Sequence, residues 1–335
     1  MPRKAIAQVE VTDEAYHQGL KILEKDISSE EKRKQLEAQK LRIQQNFRLL
    51  VSGIAIAPRE IVTPALHPRA QLRVLVTFYD GTKLQASIVG NDPQSNLALI
   101  RTPKPVPMYV QFSRLPIERS QPVSLIGYRQ REGIDAQGVV TFPSVSATCK
   151  DIYRVRAGKP ISIGSVFVIA TTGRRVNPGS ACLDKDGRLL GVLLGCAPAQ
   201  AMPMRAQGAV ASMERSFVIP GRRVAWVVES MRRHGRVVRA DFGVKLQPIS
   251  EALAAQLPGV PQGAGSVSFV APDGPAAKAG VRRHDLLLSV NGKPLPDIHR
   301  LRETLCTSEP GKAVKLEIMR EGKKLERTVT PEERE

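Results

Sequence analysis

Turn dipeptides set between short aliphatic runs constrain this chain more than any other feature. Asp80-Gly81, Asp186-Gly187, Asn291-Gly292 and Glu321-Gly322 each separate segments rich in β-branched and aliphatic residues. Glycine enters the positive-φ region without steric cost, which is what tight hairpin turns ask of the chain. Leu72–Val89 reads as one hairpin, with Asp80-Gly81 suited to a type I′ turn, and Cys182–Val192 as another. Val123–Gly127 and Gly138–Thr141 read as buried strands. From Leu49 onward this texture predicts an all-β barrel or sandwich.

Helical periodicity is confined to a few places. Residues 12–48 read as helix, opened by Thr12-Asp13-Glu14 with Leu20, Leu23 and Ile27 on one face. A polar continuation from Ser29 to Phe47 carries only a thin apolar stripe, Leu36, Leu41 and Ile43, too short for a long coiled coil. It fits a packing arm or an oligomer contact. Arg222–Arg239 reads as an amphipathic helix with Val224, Val227, Val228 and Met231 inward and Gly235 at its C-cap. A short helix starts at the N-cap Asp297 and aligns Ile298, Leu301 and Leu305. The expected division is a helical segment at 1–48, a β domain at 49–221, a connecting helix at 222–239 and a second β domain at 240–335.

Length and composition suit about two folded domains: 335 residues, 42% hydrophobic and 24% charged. No run approaches the ~20 apolar residues of a membrane-spanning helix. The N-terminus lacks an apolar leader core, so the chain as written is expected in the cytoplasm; a periplasmic or extracytoplasmic place would need a start upstream of Met1. Cys149, Cys182, Cys196 and Cys306 form no Cys-x-x-Cys pair and have no histidine at metal spacing, so neither a metal nor any other cofactor is expected. Of the net charge of +18, +15 falls in residues 49–239, +2 in 1–48 and +1 in 240–335. That excess allows an anionic partner, nucleic acid included, yet with only 4% aromatic residues there are few stacking platforms. A solvated basic surface is the simpler reading.

Three ordered segments carry a resemblance: Ile61–His67, Asn91–Leu99 and Asn177–Leu183, with Ile126-Gly127, Gly138–Val140 and Gly187–Gly191 between and after them. They resemble the regions around the catalytic His, Asp and Ser of trypsin-like proteases of the HtrA (Deg) family. The resemblance implies a chymotrypsin-like double β-barrel followed by one PDZ domain, a mainly β fold, over residues 49–335; the N-terminal helical segment lies outside it. It also implies three lost catalytic positions. The His slot falls on Leu66, with His67 one position beyond; the Asp slot falls on Asn96; the Ser loop is shortened, leaving Ser180 as its only serine. Catalysis of this type needs a nucleophile, a base in reach and a carboxylate that fixes the base. One step along a strand end sends His67 in another direction, and Asn96 carries no charge to support an imidazolium. Cys182 reads as a packed strand cysteine.

The second half matches the PDZ pattern in Phe242-Gly-Val244, Gly274–Gly280, Asp285–Lys293 and Pro310-Gly311. PDZ domains bind an extended peptide as an added strand, and backbone N–H groups can capture its terminal carboxylate. By resemblance, the carboxylate loop is Asp241, Phe242, Gly243 and Val244, continuing through Lys245 and Leu246, and the facing helix presents Ile298, Leu301, Arg302 and Leu305. Asp241 departs from the pattern, because an acidic side chain beside a carboxylate seat is unfavourable unless Arg239 or Lys245 offsets it. The resulting expectation is a non-catalytic adaptor or regulator in protein quality control that binds peptide or protein C-termini. It would assemble with itself, as a trimer, or with an active relative. A weak serine endopeptidase using His67 and Ser180, and an anion-binding protein, are the alternatives.

Overall fold

The computed structural model describes residues 2–12, 48–66, 72–115, 117–131, 134–141, 144–156, 159–172, 177–197, 213–249, 256–257, 259–261, 264–294 and 297–334. They form two compact units, Met1–Val237 and Val238–Glu335.

The first unit opens with a closed six-stranded barrel of β1 (Ile6–Thr12), β2 (Arg48–Ala57), β3 (Glu60–Pro64), β4 (Arg73–Phe78), β5 (Lys83–Asp92) and β6 (Leu97–Arg101). Its order is β1-β2-β3-β6-β5-β4, and β1 closes it by pairing with both β2 and β4. At residues 6–12 and at Arg48 this corrects the expectation of a helical segment over 1–48. After a 3₁₀ turn at Pro2–Ala5, residues 6–12 are a strand with Ile6, Ala7, Val9 and Val11 in the barrel core. β1 is held by a partner register from Ile6↔Ile54 to Thr12↔Arg48. The remainder of the helix expected there, 13–47, lies outside the described residues.

A seven-stranded sheet follows, built from β7 (Ser124–Arg131), β8 (Ile134–Thr141), β9 (Ser144–Arg156), β10 (Lys159–Thr172), β11 (Ala181–Leu183), β12 (Leu189–Ala197) and β13 (Met213–Pro220). Its order is β8-β7-β11-β12-β13-β10-β9, so β8 and β9 stand at its edges where a second barrel was expected. Leu125, Phe167, Ile169, Cys182, Leu193 and Val218 form its own apolar cluster. The helix α1 (Gly221–His234) ends on Gly235, whose φ is 69° and whose N–H donates to Met231 O at 2.9 Å. Val224, Val227, Val228 and Met231 are its buried face, as their spacing predicts. Glu60 on β3 ties the helix down: Arg232 donates to its carboxylate at 2.6 Å and Arg101 at 2.9 Å.

The second unit contains β14 (Ala240–Asp241), β15 (Val244–Pro248), β16 (Gly265–Val270), α2 (Pro275–Lys278), β17 (Leu286–Val290), β18 (Lys293–Pro294), α3 (Ile298–Cys306), β19 (Val314–Arg320), β20 (Lys323–Val329) and β21 (Glu332–Glu333). The main sheet runs β15-β16-β17-β19-β20, which leaves β15 on an edge, paired among the described residues with β16 alone. Asp285, 1% exposed, is held by Arg320 through two 2.8 Å bonds and by the Arg282 N–H. Among the described residues, no helix is long and apolar enough to cross a membrane.

The turn dipeptides divide into two geometries. Asn291-Gly292 and Glu321-Gly322 have positive φ at both residues, as a type I′ hairpin requires. At Asp80-Gly81 only the glycine is positive, and Phe78 N–H reaches across to Thr82 O, which corrects the type I′ expectation there. The Asp80 carboxylate accepts the Thr82 N–H and so stabilises the wider loop.

Candidate functional site

The fold brings the three catalytic slots together. Pro64 at the end of β3 lies against Gly179, where a Cβ would sit 2.5 Å from its Cδ. One residue on, Ala65 N–H donates to Asn96 O at 3.1 Å. The Asn91 carboxamide then clamps Leu66 from both sides, accepting its N–H at 2.9 Å and donating to its carbonyl at 2.8 Å. Leu66 is 2% exposed and part of the barrel core. A hydrocarbon anchor therefore occupies the position that the resemblance assigns to the general base. His67 lies outside the described residues.

Asn96 closes the turn between β5 and β6 with φ 56°, a left-handed conformation that asparagine tolerates better than most residues. Its backbone carbonyl holds the Leu66 segment in place. The neighbouring carboxylate, Asp92, is buried and accepts the Ser95 N–H at 2.9 Å, so it shapes the same turn.

The nucleophile loop is wound inward. Ser180 is fully buried, and its hydroxyl donates to Asn177 O at 2.6 Å within its own loop. Behind it stands Ser52 on β2, 3.3 Å away between hydroxyl oxygens, which also accepts the Tyr128 N–H at 2.9 Å. Gly127 on β7 faces the same hydroxyl: a Cβ there would fall on Ser180 Oγ and 2.5 Å from Ser180 Cβ. Gly179, with φ 85°, allows the loop to press onto the Ser52 carbonyl, where any Cβ would collide. The loop's N–H groups are equally committed. Gly179 donates to Leu193 O at 2.8 Å and Ser180 to Asn177 O at 3.3 Å. An oxyanion hole needs such donors converging on open space; these two converge on protein carbonyls.

Cys182, two residues on, is fully buried in strand β11. Burial, assisted by the nearby Asp184 carboxylate, pushes its thiol far above the usual range, which removes the thiolate a nucleophile needs. Cys182 stands opposite Gly191 in the hairpin. Among the described residues, no group of His, Cys, Asp and Glu side chains could hold a metal ion.

In the second unit, the residues expected to frame a peptide lie in the loop before β15, on β15 and on α3. Asp297 caps α3 by accepting the Arg300 N–H at 2.8 Å. Ile298, Leu301 and Leu305 pack inward, and Gly265 on β16 gives them room, since a Cβ would lie 2.5 Å from Ile298 Cδ1. Phe242 and Leu246 are buried in the same cluster. Arg302 on α3 donates to Leu246 O on β15 at 2.6 Å. Gly243 has φ 69°, and its N–H is accepted by the Asp241 carboxylate at 2.8 Å. Lys245, which with Arg239 was one of two residues that could offset Asp241, lies over the Phe269 ring, 5.3 Å from its centre. Val244 is half-buried at the start of β15.

Sequence reading missed Ser52 and the facing roles of Gly127 and Asn91. The two glycine- and asparagine-bearing motifs were visible, but nothing local in them announces a partner so far along the chain.

Comparison with known proteins agrees with this architecture. Residues 51–192 match the trypsin-like peptidase domain family, and residues 240–330 match the PDZ domain family. A probable periplasmic serine endoprotease, DegP-like, of Chlamydia muridarum is 28% identical over 266 residues, covering 77% of this chain and 48% of the relative. Its counterpart from Bartonella henselae is 30% identical over 252 residues, covering 74% and 46%. The chain thus spans about half the length of the curated relatives it matches. Among solved structures, the HtrA-type protease AlgW with a tripeptide has a TM-score of 0.64 at 21% identity, covering 99% of this chain and 95% of that one. The serine endoprotease from Yersinia pestis has a TM-score of 0.56, also at 21%, covering 99% and 96%. At such identity these structures speak for the fold. The chain is a trypsin-like peptidase fold joined to a PDZ domain. Within that class it is of the HtrA/DegP type.

Proposed function

We propose that this protein is a non-catalytic HtrA-type homologue that captures extended peptides through its PDZ domain, as an adaptor or regulator in protein quality control. The observation that carries this reading is the sealed state of Ser180. The side chain is fully buried, its hydroxyl is spent on Asn177 O, and the adjacent N–H groups are bonded internally. Leu66 in the base slot and uncharged Asn96 in the carboxylate slot support it from two further positions. In serine proteases, replacing the triad aspartate by asparagine alone costs about 10⁴ in rate, because the histidine is left in the wrong tautomer. Here all three positions are altered.

Peptide binding rests on β15, an edge strand with an open side, beside the α3 wall. Residues Asp241 to Leu246 and Ile298, Leu301, Arg302 and Leu305 would frame the ligand.

The competing reading is a weak serine endopeptidase, favoured by relatives named endoproteases. Purified full chain incubated with casein and labelled peptides separates the two. The proposal expects no cleavage above that of Ser180→Ala. Robust turnover that disappears in Ser180→Ala would overturn it.

A further inference from the structure

The PDZ loop holds an anion of its own. A backbone turn with a positive-φ residue exposes N–H groups that form an anion-binding concavity, and Gly243, at φ 69°, supplies one here. Its N–H donates at 2.8 Å to the Asp241 carboxylate, so the loop's own side chain already takes an N–H of the turn that the resemblance assigns to a peptide's terminal carboxylate. Asp241 is exposed and is held by the loop, not by packing. A second internal bond spans the groove: Arg302 on α3 donates to Leu246 O on the open edge strand at 2.6 Å. Phe242 and Leu246 on one wall and Leu301 and Leu305 on the other are already buried against their own domain.

We infer that Asp241 is a built-in stand-in for a C-terminal carboxylate, so that the groove selects an internal extended segment of a partner over a free C-terminus. The inference rests on the peptide-binding reading given above and sharpens it. An incoming free carboxylate must displace Asp241 from Gly243 and then stand beside its negative charge. An internal segment meets neither cost. It needs only to pair along β15, replacing the Arg302 bond to Leu246 O with a main-chain N–H. Hydrogen bonds to charged groups contribute enough that freeing the seat should change the preference by about tenfold or more.

The test uses the full chain and two arrayed sets of the same decapeptides, one ending in a free carboxylate and the other in a carboxamide. Wild type is expected to retain the same sequences from both sets, with Kd values for acid and amide within about threefold of each other. Asp241→Ala is expected to bind the acid forms at least about tenfold more tightly than the amides. Circular dichroism confirms folding of the variant. A wild-type preference of tenfold or more for free acids, or an acid-to-amide ratio unmoved by Asp241→Ala, overturns the inference and leaves peptide binding standing. Retention of no peptide by either protein overturns the peptide-binding reading itself, and the inference with it.

Discussion

Gly127→Ala tests whether Ser180 truly faces inward. The new methyl would fall on Ser180 Oγ, 2.5 Å from Ser180 Cβ and 3.1 Å from Ser52 Oγ. Relief by movement is blocked, because Gly179 already presses on the Ser52 carbonyl and on Pro64. Overpacking of this kind costs about 3 kcal/mol, and at ~2–4 °C per kcal/mol for a unit of this size the melting temperature should fall by roughly 6–12 °C. Ser180→Gly alone loses the hydroxyl bond to Asn177 O and adds backbone freedom, about 1–2 kcal/mol together. The double variant removes both colliding atoms, so its loss should approach that of Ser180→Gly, with a coupling of about 3 kcal/mol between the sites. Thermal and urea unfolding of the four proteins measure the cycle. Strictly additive losses would refute the reasoning, because they would mean that the Ser180 side chain does not fill the space before Gly127.

Asn91→Ala should destabilise the first unit by about 1–3 kcal/mol, since it strands the N–H and carbonyl of buried Leu66, and urea unfolding would register it. Glu60 gives a pH signature. Burial pushes its carboxyl up, but hydrogen bonds and charge from Arg232 and Arg101 outweigh this and hold it below its ordinary 4.5. Stability from this cluster is therefore present above that value and lost as pH falls through the lower folded one. The melting-temperature gap between wild type and Glu60→Gln should be widest near neutrality and close on acidification; a gap that widens in acid would contradict the assignment.

Local chemistry made part of this structure legible. Asn291-Gly292 and Asp297 announce a turn and a cap because the demand on φ, or on one orphan N–H, is met within a few residues. The α1 face was equally readable from the spacing of Val224, Val227, Val228 and Met231. β1 was not, although Ala7, Val9 and Val11 alternate with Gln8 and Glu10. Its register begins at Thr12↔Arg48, across a long intervening segment with helical periodicity. The Asp80-Gly81 turn differed from expectation because the Asp80 carboxylate bonds to Thr82 and favours the wider loop. At the slots that the resemblance assigns, the departures from the family pattern were visible in sequence, whereas the inward turn of Ser180 depends on Ser52 and Gly127, which reach it from other strands. Asp241 was recognisable as a departure, and its carboxylate accepts the Gly243 N–H within the same loop, a bond that the sequence did not announce.

Reaction with a fluorophosphonate probe addresses the central claim most directly, because labelling requires an accessible, activated serine. Full-length protein and an active serine protease are treated in the same tube, and the peptide containing Ser180 is weighed by mass spectrometry. The account predicts an unmodified Ser180 peptide while the companion protease is fully labelled. An adduct on Ser180, absent in Ser180→Ala, would contradict it.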